Sequence, residues 1–138
     1  MNNLEEIYTQ LHATVALLAS PAETQIAYLA QASEQAKSTV LADDIAEDLC
    51  HWVMCAPQLT EGPSLNGPTL EALRMLDSEL AAVGANVADW TPAALAASSK
   101  WENIRQHAAK VLAAMDEYYP AGASDALPSG IYIPAGRD

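Results

Sequence analysis

The chain has 138 residues, enough for one domain with a buried core, and carries 18 acids against 6 lysines and arginines, a net charge of −12. Such a field repels phosphates and lacks the clustered cations that bind them, so nucleic acid is not an expected partner. No run approaches the ~20 apolar residues of a membrane span, and the opening MNNLEEIYTQ has acids where a secretory leader carries positive charge, so the expectation is a cytoplasmic protein without membrane contact.

Alanine and leucine are abundant and phenylalanine is absent. That composition favours helices over strands. It leaves the core to Leu, Val, Ile and Met, with Trp52, Trp90 and Trp101 as the bulky pieces.

The first predicted helix spans 3–19, with Leu4, Ile7, Leu11, Val15 and Leu18 on one stripe. SPAE at 20–23 predicts a second helix over 21–36. Ser20 is read as its N-cap, Pro21 as its first residue and Glu23 as the returning carboxylate of a capping box. Its stripe is short, holding Ile26 and Leu29. A third helix over 41–56 places Leu41, Ile45, Leu49, Trp52 and Ala56 on one side.

Pro68 opens a fourth helix over 68–83, striped by Leu70, Leu73, Leu76, Leu80 and Val83, and Gly84 is placed to close it. Thr91-Pro92 starts a short helix over 92–98. SKWE at 99–102 reads as a second capping box, Ser99 with Glu102, opening a last helix over 99–118 with Trp101, Ile104, Ala108, Val111 and Met115 facing inward. Trp90 and Trp101 are read as pinning the short helix to the rest.

The expected fold is therefore all-α: a compact bundle of about five main helices and one short helix over 1–118. An irregular tail, 119–138, follows. Its prolines and glycines surround one extended-looking patch, Ile131-Tyr132-Ile133, and the tail reads equally as packing across the bundle or reaching a neighbour, or as disordered.

Chemistry-bearing residues concentrate in LADDIAEDLCHW, residues 41–52, where Asp43, Asp44, Glu47 and Asp48 fall within six positions. Wound at about 100° per residue, Asp44, Asp48, His51 and Cys55 form one line, with Glu47 and Met54 beside it and Trp52 at its border. Residues 1–61 carry nine acids against the single base Lys37. A surface of this kind attracts a basic protein. The carboxylates accept bidentate arginine, and Trp52 and Met54 supply anchor area. The plain alternative is an acidic face that is only solvated.

A metal site on Asp44, Asp48 and His51 is a further reading, since Asp48 and His51 have the i,i+3 spacing that di-iron bundles use with glutamate. Such a site needs the motif twice, and Ile104 stands three before His107 and Thr9 three before His12. Cys50 and Cys55 lack paired zinc-ligand spacing and are turned apart around the helix, so they are expected as free thiols. His12 and His107 lie beside their stripes as boundary residues. There is no nucleophile elbow and no phosphate-binding glycine loop. No catalytic residue, metal or cofactor is expected.

DDIAEDLCHWV resembles the second acidic helix of the all-α nucleotide pyrophosphohydrolases, where an acidic pair at this spacing coordinates Mg²⁺. That resemblance implies a Mg²⁺-dependent hydrolase acting through the 43–48 acids. The family's earlier helix supplies a paired E-x-x-E. Here Glu5, Glu6 and Glu23 have no partner three residues on, and Glu34 meets Lys37 at that offset.

A wider resemblance covers about residues 10–115. The order ALLASPAE, ADDIAEDL, APQL, LEALRMLDSELAAV, DWTPAAL and WENIRQHAAKVL is similar to that of small acidic all-helical bacterial proteins of toxin-immunity type. It implies binding without catalysis: capture of a basic protein, such as a toxin domain, on a surface formed by Asp43, Asp44, Glu47, Asp48, His51, Trp52 and Met54. The 119–138 tail departs from that pattern. An adaptor or homo-oligomeric structural role is the third reading.

Overall fold

The computed structural model describes residues 3–57 and 67–118, all of it helix, turn or loop, with no strand among the described residues. Among the described residues six α-helices follow in order: α1 Asn3–Ala19, α2 Ala22–Ala36, α3 Ala42–Cys55, α4 Gly67–Ala81, α5 Pro92–Ala97 and α6 Ser99–Tyr118. A 3₁₀ turn, Val87–Trp90, precedes α5. The all-α expectation therefore holds, with helix boundaries within two residues of those read from the pattern. The tail, 119–138, lies outside the described residues.

Four helices close a ring. α1 packs most extensively on α6 and then on α3, α3 packs on α4, and α4 returns to α6. The stripes read from sequence are what they bury. Ile7, Leu11, Val15 and Leu18 of α1, Leu70, Leu73, Leu76 and Leu80 of α4, and Trp101, Ile104, Ala108, Val111 and Met115 of α6 are all core residues. α1 is buried well beyond its stripe, since Tyr8, Ala13, Thr14 and Leu17 are covered too. It is the central helix, and the Tyr8 hydroxyl donates to the Met115 carbonyl at 2.8 Å.

α2 is not a member of the ring. It packs chiefly on the short α5, as suits a helix whose only buried apolar side chain is Leu29. A polar knot fixes it there. The buried Gln25 amide donates to the Leu17 and Leu18 carbonyls at 3.2 and 3.0 Å, satisfying the C-terminal end of α1. Its oxygen accepts from Arg105 Nη1 at 3.0 Å, and the same nitrogen donates to the Leu95 carbonyl of α5 at 3.0 Å. Arg105 thus joins α6 to α2 and α5 at once. Among the described residues no buried side-chain nitrogen or oxygen lacks a hydrogen-bond partner.

Two of the expected caps are displaced. Pro21, with ψ 155°, is itself the N-cap of α2, and no side chain caps that end. Ser20 turns back instead, its hydroxyl donating to the Ala16 carbonyl at 2.8 Å. At α6 the cap is Ser98 rather than Ser99, since Lys100 N–H donates to Ser98 Oγ at 3.2 Å. Glu102 is consequently not the far half of a capping box but holds Arg105 and Gln106. The reason in both cases is a nearer partner: an orphan carbonyl for Ser20, a guanidinium for Glu102. Thr91 does cap α5, accepting from Ala94 N–H at 3.3 Å.

The two tryptophans pin the α4–α6 connection as expected. Trp90 and Trp101 meet edge-to-face at 5.7 Å between ring centroids. Trp90 Nε1 donates to the Gly84 carbonyl at 3.0 Å, and Trp101 Nε1 to that of Asp89 at 2.9 Å. Gly84 sits at φ +144°, and a Cβ there would run into the Asp89 carboxylate. Gly84→Ala is expected to cost about 1–3 kcal/mol through backbone strain. Urea unfolding followed by tryptophan fluorescence reads that loss, and a midpoint equal to that of the unmodified chain would refute it.

Candidate functional site

α3 starts without a side-chain cap, its N-cap being Leu41 in an extended conformation. Asp43 and Asp44 occupy the exposed first turn, where the positive end of the helix dipole favours carboxylates. Ala42, Ile45, Leu49, Val53 and Ala56 are buried against the bundle. The opposite side therefore faces outward by geometry alone. Asp43, Asp44, Glu47, Asp48 and His51 are exposed, Trp52 is half-buried against the core, and Met54 is 76% exposed. All seven residues expected at a binding surface lie on this one face or its margin.

Within the face, the carboxylate oxygens of Asp43, Asp44 and Glu47 lie within 4.8 Å of one another. This grouping differs from the Asp44, Asp48, His51 set considered as metal ligands from sequence, because side chains from successive turns lean toward the helix N-terminus. The His51 ring meets Trp52 edge-to-face at 4.6 Å, so the imidazole rests on the indole. Cys50 and Cys55 are free thiols, the first exposed and the second half-buried. Among the described residues no lysine or arginine pairs with any of the four acids; the ion pairs formed are those of His12 with Asp116, Arg74 with Glu71, Arg105 with Glu102 and His107 with Glu79. His12 and His107 are thus boundary residues that tie α6 to α1 and α4.

One residue of this face was not legible in the sequence. Tyr28 of α2 is half-buried beside the core. Burial raises its phenol above the ordinary value, and the charges of Asp48 and Asp44 raise it further. The charge of the acidic face is thus felt by a side chain of a second helix. The only local signal was the position of Tyr28 three residues after Gln25 and next to Leu29, which places it on the edge of the α2 stripe.

The acids themselves are unsettled by their crowding. Partial burial raises Asp48, Asp44 and Glu47 raise it further, and His51 opposes them. Asp44 is raised by burial and then by Asp43. Each binds its proton more tightly folded than unfolded, so each costs stability above its folded pKa. Stability is regained as pH falls from that value to the ordinary aspartate one. Asp77, raised by burial, has the same sign. Glu102 has the opposite sign: hydrogen bonds from Gln106 and Arg105 lower it, so its contribution is present above the ordinary glutamate value and lost as pH falls through the lowered one. The urea midpoint is therefore expected to rise on mild acidification from neutral pH before acid unfolding sets in. Asp44→Asn with Asp48→Asn is expected to raise the neutral-pH midpoint and flatten that rise. An unmodified chain with a level midpoint across this range would contradict the assignment.

A separate cleft of about 530 Å³ opens between the α1–α2 junction, α5 and α6, lined by Pro21, Ala22, Ala96, Glu102, Arg105 and Gln106 among others. Its polar side chains are engaged with one another and with the knot that holds α2, which marks it as structural. No described helix is long and apolar enough to cross a membrane. Comparison with protein-family models, with curated proteins and with solved structures gave no match to this chain.

Proposed function

We propose that the chain is a non-catalytic binding protein of immunity or inhibitor type that neutralises a basic protein, such as a toxin domain, through the outer face of α3. The observation that carries this reading is the absence, among the described residues, of any lysine or arginine paired with Asp43, Asp44, Glu47 or Asp48. Their charge is left for an external partner. Carboxylates held on a packed helix are pre-organised for guanidinium and ammonium groups, so less ordering is lost on binding. Met54 and the Trp52 edge adjoin them as apolar anchors.

The test is retention of a basic protein from the native host on the immobilised chain at low salt, identified by mass spectrometry and then purified. Asp44→Lys with Asp48→Lys is expected to abolish capture of that purified protein. Capture that persists in the double variant would reject the α3 face as the contact.

The close grouping of Asp43, Asp44 and Glu47 favours one other reading, a Mg²⁺-dependent nucleotide hydrolase. Carboxylates are the ligand type Mg²⁺ takes, although it keeps several waters when one helix supplies them all. That reading requires Mg²⁺- or Mn²⁺-dependent turnover of nucleoside triphosphates, abolished by Asp→Asn changes at the same positions.

A further inference from the structure

Of the fully buried apolar side chains that make up the core, α2 supplies one, Leu29. The ring of α1, α3, α4 and α6 closes on its own stripes without it. Ile26 and Tyr28 lie half-buried at the margin of that core, and the second fully buried residue of α2, Gln25, is polar. An element with so little buried apolar surface belongs at the low-stability end of a fold.

The ends of α2 add little to its hold. No side chain caps its N-terminus, where Pro21 stands at the N-cap. At its C-terminus Lys37 takes a left-handed conformation, φ 57°, which residues with a β-carbon adopt at a cost. The connection 37–41 then leads to α3, and its one tie back to α2 through a side chain is Ser33, whose hydroxyl accepts from Val40 N–H at 2.8 Å and lies 3.4 Å from the Val40 carbonyl.

What closes α2 onto the bundle is largely polar. The Gln25 amide donates to the Leu17 and Leu18 carbonyls at 3.2 and 3.0 Å, and its oxygen accepts from Arg105 at 3.0 Å. Water replaces these partners once the helix lifts away, so opening exchanges hydrogen bonds rather than forfeiting them. Arg105 itself stays engaged with Glu102 and the Leu95 carbonyl.

We propose that α2 is a strap that opens as a unit while α1, α3, α4 and α6 stay folded, with the Gln25–Arg105 contact as its latch. Opening uncovers the C-terminal end of α1 and the side of α5 on which α2 rests. The released segment does not persist as a helix. At 15 residues it stands near the ~12–15-residue limit below which isolated helices are marginal in water. Its amides therefore exchange with solvent whenever the strap opens.

Hydrogen exchange of the full chain over a series of urea concentrations below the unfolding transition, read amide by amide by NMR, tests this. The hydrogen-bonded amides of α2 are expected to share one opening with a shallow urea dependence, because that slope follows the surface exposed. Central amides of α1, α4 and α6 are expected to exchange more slowly, with the steep dependence of global unfolding. Ile45→Val, a mild trim of the ring's core on α3, separates the two events. It is expected to speed the ring amides several-fold and leave the α2 amides unchanged. Gln25→Ala is expected to speed α2 exchange on the order of tenfold, through loss of a hydrogen bond to a charged group. If the α2 amides share the urea slope of the ring, or accelerate with it in Ile45→Val, the strap does not exist. If α2 exchange is unchanged in Gln25→Ala, the latch assignment is overturned.

Discussion

Replacing Arg105 with alanine is expected to lower stability by about 3 kcal/mol, a sizeable part of the ~5–15 kcal/mol that holds a domain of this size. Arg105 is only 9% exposed, and its planar fork serves the Gln25 oxygen and the Leu95 carbonyl through Nη1 while Nε and Nη2 hold Glu102. Removing it strands both acceptors where water reaches poorly, at roughly 1–3 kcal/mol each, and opens the space its stem filled. The pair with Glu102, whose own carboxylate is exposed, adds little. Arg105→Lys is expected to recover only part of the loss, because one ammonium on a flexible stem does not reproduce the fork. Urea unfolding gives the loss directly. Hydrogen exchange locates it, with faster exchange in α2 and α5 than in α1 or α4. A loss below about 1 kcal/mol, or exchange that rises evenly over all helices, would show that Arg105 does not hold α2 and α5 in place.

Asp44→Lys with Asp48→Lys is expected to weaken capture of the basic partner at least 100-fold, about 3 kcal/mol. Close charge pairs at interfaces couple by about 1.5–7 kcal/mol, and reversal replaces attraction with repulsion at two adjacent turns. The fall should be steepest at low ionic strength and show largely in the association rate, since steering by exposed charge is screened by salt. The fold should hold to within about 1 kcal/mol. Reversal removes two carboxylates raised by partial burial, but it exchanges one like-charge pair at i,i+4 for another, Lys against Lys, and places a cation near the positive end of α3. Stopped-flow association across a salt series separates the outcomes. A rate that is unchanged and salt-independent would remove the acidic face from the interface, even if the complex itself is real.

Most of the helices were legible because their cause is local. A stripe at steps of three and four, as in Leu70, Leu73, Leu76 and Leu80 or Ile104, Ala108, Val111 and Met115, requires burial of one side wherever the helix is packed. For the same reason the α3 acids faced outward in sequence and do so in the structure, since Ile45, Leu49 and Ala56 fix the orientation. Thr91 before Pro92 marked a helix start from residues within one turn.

What failed to be legible depended on residues far apart in the chain. Ser20 fitted the cap pattern for α2, but its hydroxyl was nearer an orphan carbonyl of α1. Gln25 carries no local signal of burial, and Arg105 lies eighty residues away from it. Nothing in either neighbourhood predicts that they meet, or that α2 leaves the four-helix ring to lie on α5. Tyr28 enters the field of Asp44 and Asp48 only through the folding of α2 back toward them, which its own neighbourhood in the chain does not indicate. The sequence by itself determined the helices, the side each one buries and the sign of the surface charge, because periodicity, turn residues and titratable side chains act within a few residues. Tertiary structure alone decided which helices are neighbours and which polar side chains are spent inside, because those depend on contacts between segments that the chain order does not relate.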